Sequence, residues 1–322
     1  MSRYSRSFTF GAIFAVVALS LAVPAHADQP APSPTATPAA VLAPSPSPTE
    51  TPAPPATPVP VVKPGKVGNL VLADNSIAAI TLSWTAPSKL GTEPITDYSV
   101  KYKFDDFGGW LTWKHDANPL PGMIIGDLPL GRGITFAVRP VTARTAGLPV
   151  KLHVLTAAPA DQAPLPGAAQ QEYNFVSASW NSHSSKFGYY PGHDCANWAS
   201  QALLQRGFTQ TAKWHGRQSR LHGATTAWIS STSLHNYLLA TGKATLLTDA
   251  QRALVAVGDI VQFDWWNTGA QEHTGIVTHI EQTPSGPKIY YASHTAHGMW
   301  WSVDRSVHIA YPGATATYLH LN

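Results

Sequence analysis

One cysteine in the last part of the chain is the residue most suited to nucleophilic chemistry. Cys195 is the only cysteine among 322 residues. It lies in the stretch 193–204, whose apolar spacing predicts a short amphipathic helix that ends at Gly207 and begins with Asp194 as its N-cap. A thiol in the first turn feels the positive end of the helix dipole, which favours the nucleophilic thiolate. The alternative role for such a cysteine is a small buried apolar side chain.

Histidines on a predicted hairpin are the candidate bases. Two alternating runs around a turn at residues 284–286 predict antiparallel strands that start at His273 and end at His294. Side chains two residues apart share a face of a strand. A turn centred on 284–285 or 285–286 places His294 opposite Gly275 or Val277, on the face of His273. A register shift of one residue would separate the two histidines.

A thiolate and an imidazole within hydrogen-bond reach are the groups that acyl transfer needs. Histidine takes the thiol proton and later protonates the leaving amine, and a polar neighbour fixes its tautomer. The backbone amide of Cys195, at the start of the predicted helix, is able to donate to an oxyanion. The residue types therefore favour hydrolysis of an amide bond through a thioester.

The first 63 residues predict an exported, tethered protein. Basic residues precede an apolar run and an Ala-His-Ala sequence, so residues 1–27 are interpreted as a cleaved signal peptide. No second apolar run of membrane length follows. Residues 28–63 are rich in Pro, Ala and Thr and predict a disordered, extended linker. Because exported proteins usually pair their cysteines, a lone one favours a working thiol.

Charge composition excludes one class of partner. The formal net charge is +3 and charged residues make up only 12% of the chain. This balance, with no Lys/Arg-rich run, argues against nucleic-acid binding. The lack of a coiled-coil repeat leads us to expect a monomer.

Residues 64–158 predict an all-β sandwich. Period-two runs separated by Gly and Pro recur across this region. Trp84 with Pro87, Tyr98 and Leu128 follow the order of a fibronectin type III domain, which the region resembles. Ile134 occupies the position at which that family carries its corner tyrosine. We expect this domain to be a spacer or binding module, with Trp84 in its core.

A Pro/Ala-rich linker over 159–171 precedes the last predicted domain, 172–322. A helix is predicted over Ser231–Ala240 and a glycine-led strand over Gly258–Trp265. Trp265 is placed either in the wall of a peptide groove or in the core.

Four motifs in this last domain resemble one family. Asp-Cys-x-Asn, Gly-Asp-Ile-Val-Gln-(aromatic)-Asp-Trp, His-Thr-Gly-Ile-Val-Thr and Ser-His-Thr occur in the order seen in the "putative amidase" domains, relatives of the NlpC/P60 and CHAP groups of papain-like cysteine hydrolases. The resemblance implies an α+β papain-like fold, with a cysteine-bearing helix at its N-terminus and an antiparallel sheet. It implies Cys195 as nucleophile, His273 as base and His294 as the orienting group, a role that Ser293 or Asp264 could also fill. The motifs place these further residues around the substrate and oxyanion: Asp194, Asn197, Asp264 and Trp265.

The favoured function is a secreted cysteine amidase or peptidase that needs no cofactor or metal and acts on bacterial cell-wall peptides. One alternative is a metal-dependent amidase with His273, His294, His297 and Asp264 as ligands, although no recognised zinc motif is present. The other is a non-catalytic wall-binding or adhesion protein.

Overall fold

The computed structural model describes residues 60–77, 79–106, 108–159, 163–217, 223–295 and 298–322. Residues 58–322 cluster as one compact unit. The predicted signal peptide and the predicted linker up to residue 59 lie outside the described residues.

The first domain is a sandwich of seven strands. They are β1 (Gly68–Asn75), β2 (Ala79–Thr85), β3 (Asp97–Phe104), β4 (Leu111–Thr112), β5 (Gly122–Gly126), β6 (Gly133–Val141) and β7 (Val150–Leu155). One sheet has the order β1-β2-β5 and the other the order β4-β3-β6-β7, with every pairing antiparallel. This is the three-plus-four arrangement of a fibronectin type III-like sandwich.

The core of the sandwich forms because alternate side chains of each strand point between the sheets. Trp84 is buried there, as predicted, with its ring edge-on to Tyr98 at 5.2 Å. Ile134 and Leu128 are also buried, so an apolar side chain fills the place of the corner tyrosine. Trp110 is exposed, and Lys103 and Lys151 each lie over its ring.

The second domain begins with helices. These are α1 (Gly167–Ser179), α2 (Asp194–Gln205), α3 (Thr226–Ile229) and α4 (Ser231–Ala240). Helix α4 has the predicted bounds, and α1 starts within the stretch that was predicted to be linker. Helix α2 ends as expected, because Gly207 adopts a positive φ of 102° that a side chain would strain.

A six-stranded antiparallel sheet follows the helices. Its strands are β8 (Ala244–Thr248), β9 (Ile260–Asp264), β10 (His273–Thr283), β11 (Gly286–Ser293), β12 (Gly298–Ser302) and β13 (Thr315–Leu321). The spatial order is β12-β11-β10-β9-β13-β8, so the last strand lies between two earlier ones. Short helical turns cover Asp249–Leu254, Val303–Arg305 and Ser306–Ala310.

The two faces of this sheet bury separate cores. Helices α1 to α4 pack on one face, against side chains that include Ile260, Ile276 and Ala292. The other face packs Val261, Phe263 and Val277 beneath the turns after β12. This alternation explains why β9 and the first six residues of β10 are continuously buried. Among the described residues, no helix has the length and apolarity needed to cross a membrane.

Candidate active site

Cys195 is the second residue of α2 and is 4% exposed. Its sulfur lies 3.5 Å from the hydroxyl oxygen of Ser231, the first residue of α4. The N-terminal ends of two helices therefore meet at the thiol. Because the N-terminus of a helix carries partial positive charge, both ends favour a thiolate there.

His273 is the partner that most strongly favours the ionised thiol. Burial raises the pKa of Cys195, but a hydrogen bond from His273 and the charge of its ring oppose this effect. Hydrogen bonds from Ser231 and from the backbone of Thr274 act in the same direction, and the pKa falls from 9.0 to about 7. At neutral pH a large fraction of such a thiol is ionised.

Strand β10 and its neighbours position His273. It is the first residue of β10, pairs with Phe263 of β9 and is 8% exposed. Its ring lies 6.0 Å from that of Phe263, 5.9 Å from that of Trp265 and 6.4 Å from that of Tyr291. Three aromatic neighbours thus restrict the orientation of the imidazole.

A buried glutamine supports the groups around the sulfur, and sequence reasoning missed it. Gln262 is 0% exposed and donates to the carbonyl oxygen of Ser231 at 2.9 Å and to the hydroxyl of Thr274 at 3.1 Å. Its own amide oxygen accepts from His235 at 2.7 Å. A polar residue within the apolar run Ile-Val-Gln-Phe was the available signal, because an amide is buried only where its hydrogen bonds are made.

His294 lies with the start of α2. Its Nδ1 donates to Asp194 at 2.7 Å, and its Nε2 donates to the carbonyl oxygen of Ser179 at 2.9 Å. Its ring stacks on Trp198 with the centroids 4.9 Å apart. Because both hydrogen-bond partners are acceptors, the ring donates from both nitrogens and forms an ion pair with Asp194.

The predicted pairing of His294 with Gly275 or Val277 is wrong. The turn lies where expected, with Thr283 opposite Gly286, but a bulge between Val277 and His279 shifts the register by one residue. Ala292 therefore pairs with Ile276. A shift of one residue turns a side chain to the opposite face of the sheet. The expected placement of His294 on the same face as His273 is therefore lost.

Asp194 is the first residue of the helix and not its N-cap, which is His193. The Asp194 carboxylate accepts hydrogen bonds from the backbone N–H of Tyr190 at 3.0 Å and from the side chain of Asn197 at 2.8 Å. The amide oxygen of Asn197 in turn accepts from Trp228 at 2.7 Å. Both predicted residues are thus brought beside Cys195, where they fix the first turn of the helix.

The side chains of Asp264 and Trp265, at the end of β9, make different contacts. The Asp264 carboxylate accepts from the backbone N–H groups of Thr268 at 2.9 Å and Gly269 at 2.7 Å, which holds the loop before His273. Trp265 faces His273 and stacks on Tyr311 at 4.2 Å. Of the two, Trp265 forms a wall beside the imidazole.

Within the described part of the chain, one group of side chains is close enough to consider for a metal ion. Atoms of His183, Asp194 and His294 lie within 4.8 Å of one another. The 2.7 Å between His294 and Asp194 is a hydrogen-bond distance, shorter than the roughly 3.3 Å that separates two ligands of one tetrahedral zinc. We therefore assign His294 and Asp194 to an ion pair. Of the metal ligands weighed from sequence, His297 lies outside the described residues.

A cleft of about 670 Å³ opens beside His273. Trp265 and Ser293 of the second domain line it, and so do Tyr102 and Lys114 of the sandwich. Cys195 is not one of its lining residues, whereas Gly192 and Thr295, which flank the start of α2, are. The cleft therefore reaches both the imidazole and the loop that leads to the nucleophile.

The second domain is similar to a known family. Residues 168–319, just under half of the chain, match the family described as "Putative amidase domain". The match contains Cys195, His273 and Ser231, which meet at the thiol, and Gln262, which holds Ser231 in place. The second domain is thus similar to this amidase family.

The first domain has relatives of a different kind. Cardiac-type myosin-binding protein C of Rattus norvegicus is 29% identical over 92 residues, and myomesin-2 of Homo sapiens is 28% identical over 87 residues. These segments cover 29% and 27% of this chain but only 7% and 6% of the relatives.

Two solved fibronectin type III domains are also similar to it. The fourth such domain of a human protein has 16% identity and a TM-score of 0.30, and covers 37% of this chain and 98% of its own. A domain of human collagen XX has 21% identity and a TM-score of 0.25, and covers 31% of this chain and 99% of its own. The assignment of the sandwich itself follows from its strand order.

Proposed function

We propose that this protein is a cysteine-dependent amidase of the papain-like kind, with Cys195 as nucleophile and His273 as general base. The single observation that carries the proposal is the interaction of His273 with the Cys195 thiol, which brings its pKa to about 7 against the opposing effect of burial. The family match over residues 168–319 supports amide hydrolysis as the reaction.

The proposed reaction has two half-reactions. His273 takes the thiol proton, and the thiolate attacks the amide carbonyl carbon to form a tetrahedral oxyanion. The backbone N–H of Cys195 lies in the first helical turn, where the helix supplies no acceptor, and it donates to that oxyanion. The amine leaves with the proton from His273, and water then hydrolyses the thioester with His273 again as base.

The supporting residues act before any substrate binds. Ser231 and the backbone of Thr274 stabilise the thiolate, and Gln262 holds both of these residues in place. The ion pair of His294 with Asp194 fixes the start of α2. A nucleophile positioned in this way has less freedom to lose in the transition state.

We further propose that the protein is exported and that its substrates are bacterial cell-wall peptides. The support is the sequence of residues 1–27, which has the form of a signal peptide, and the Pro-rich stretch of residues 28–63, which would let the domains reach into a polymer mesh.

Digestion of purified cell-wall fragments tests the activity. The full chain is incubated with the fragments, and new amine and carboxyl termini are identified by mass spectrometry. The Cys195→Ala and His273→Ala variants are expected to produce no new termini. The His279→Ala variant, which changes another histidine of β10, is expected to retain cleavage. Cleavage by Cys195→Ala at the rate of the unmodified chain would refute the mechanism, and inhibition by chelators alone would favour a metal-dependent amidase.

A further inference from the structure

The cleft beside His273 is built by two domains. The second domain contributes His273, Trp265 and Tyr291. The sandwich contributes Tyr102 and Phe104 of β3, Leu111 and Thr112 of β4, and Lys114. A fibronectin type III-like sandwich that acted only as a spacer or tether would not be expected to line this cleft.

Contacts of several kinds fix the sandwich against the second domain. Lys288 of β11 forms an ion pair with Asp127, and Tyr290 donates to the carbonyl oxygen of Ile77 at 3.2 Å. Phe104 packs edge-on against Trp301 with the centroids 5.4 Å apart. Because polar and aromatic contacts span the junction, the sandwich wall is held in a defined position.

A buried arginine lies at the base of this junction. Arg305 is 5% exposed, donates to the hydroxyl of Tyr102 and lies over the rings of Tyr102 and Phe104. Among the described residues it has no carboxylate within ion-pair distance, and its Nη1 has no hydrogen-bond partner. A buried guanidinium without a counter-charge is costly unless an anion approaches it.

The lining of the cleft carries two cationic side chains, Arg305 and Lys114, and one carboxylate, that of Glu272, so cations outnumber anions there. Lys114 is exposed on the sandwich wall, and its ammonium forms no ion pair within the described part of the chain. Glu272 is the acidic lining residue, and its carboxylate accepts from the backbone of Trp265 at 2.7 Å and from the hydroxyl of Thr268. His273 also lines the cleft and faces the thiol, and the tyrosines Tyr102, Tyr291 and Tyr311 are the other titratable residues of the lining.

We propose that the sandwich supplies half of the substrate site and that the cleft selects peptides bearing a free carboxylate. The carboxylate lies toward Lys114 and Arg305, and the susceptible amide lies toward His273. This inference rests on the proposed amidase function, whose substrate class it narrows. Lys114 is its specificity-determining residue, because Arg305 also holds the two domains together.

Binding to the full chain carrying Cys195→Ala tests this without any need for turnover. The probes are N-acetylated tetra-alanine with a free C-terminal carboxylate and the same peptide with a C-terminal amide, and binding is followed by tryptophan fluorescence. The carboxylate is expected to bind up to about fivefold more tightly, the upper end of the effect of a partly exposed charge pair. Adding Lys114→Glu should abolish this preference, while Lys151→Glu on β7, which lies outside the cleft lining, should preserve it.

Three results would overturn the inference: equal affinity for the two peptides, no binding of either, or the same loss of preference in both lysine variants. Circular dichroism of each variant establishes that the fold is kept. A carboxylate preference in a chain that cleaves no amide would leave the shared cleft standing and would reject only the hydrolase mechanism, so the two failures are distinguishable.

Discussion

His294 and Asp194 form a buried ion pair, in which the imidazole Nδ1 lies 2.7 Å from the carboxylate of the residue that precedes the nucleophile. Both side chains are almost inaccessible to solvent. The pair joins the end of β11 to the start of α2, two segments about a hundred residues apart in the chain. The nucleophile thus depends on a contact made far away in sequence.

Breaking this pair is expected to destabilise the second domain strongly. His294→Leu leaves a buried carboxylate without its counter-charge, which costs about 3–5 kcal/mol. The double change of His294→Leu with Asp194→Asn removes both charges and should recover part of that loss. Urea unfolding of the unmodified chain and the two variants measures this, and equal stability of the single and double variants would contradict it.

The hydroxyl of Ser231 is expected to contribute modestly to the reactivity of the thiol. Ser231→Ala removes a hydrogen bond to the thiolate, so the pKa of Cys195 should rise by less than about 1 unit, because a hydrogen bond to a charged group is worth about 1.5 kcal/mol or somewhat more but water can partly replace it. Ser233→Ala, on the same helix, is the matched control. Titration of the thiolate by its ultraviolet absorbance reports both, and an unchanged midpoint in Ser231→Ala would remove Ser231 from the site.

Gln262 is expected to act as a positioning residue. Gln262→Leu keeps the volume but leaves the hydroxyl of Thr274 and the carbonyl of Ser231 without their donor, at a cost of about 1–3 kcal/mol. We expect kcat to fall about tenfold or more, with a higher thiol pKa and a smaller change in KM. The exposed Gln282→Leu on β10 is the control. A loss of stability with kcat and thiol pKa unchanged would show a purely structural role.

Glu172 is expected to make the stability depend on pH. Burial raises its pKa to about 7, while the charge and hydrogen bond of Arg206, 2.7 Å away, oppose the rise. A carboxyl whose folded pKa is raised stabilises the fold below its unfolded pKa near 4.3, and this contribution disappears as pH rises toward 7.

Comparison with Glu172→Gln isolates the effect. The unmodified chain should lose up to about 3 kcal/mol relative to the variant between pH 4 and pH 7, since one pKa unit corresponds to about 1.4 kcal/mol. Denaturant unfolding at several pH values measures the difference. A difference that stays constant with pH would contradict the raised pKa.

Local sequence signals predicted much of the fold. Helix α4 and the strands that carry Trp84, Tyr98 and His273 follow directly from apolar periodicity, and Gly207 marks the end of α2 through its positive φ. These signals depend only on neighbours in the chain. Cys195 and His273 were identifiable in the same way, because residue type and position at the start of a predicted helix or strand are also local signals.

Non-local geometry was beyond those signals. No Gly or Pro lies within the bulge before His279, so no local residue type predicted it. The bulge nevertheless shifts the register by one residue and removes the pairing expected of His294. The insertion of β13 between β9 and β8, and the contact of Phe104 with Trp301, join segments far apart in the chain. The cleft shared by two domains therefore required the structure.

His273 favours ionisation of the Cys195 thiol in the proposed mechanism, and titration of this single thiol of the chain measures the effect. Thiolate absorbance is measured against pH, with Cys195→Ala as the blank and with His279→Ala as control. We expect a midpoint near pH 7 in the unmodified chain and, because burial then acts unopposed by the imidazole, a midpoint above about 8.5 in His273→Ala. A midpoint that stays near 7 in His273→Ala, or one already above 8.5 in the unmodified chain, would contradict it.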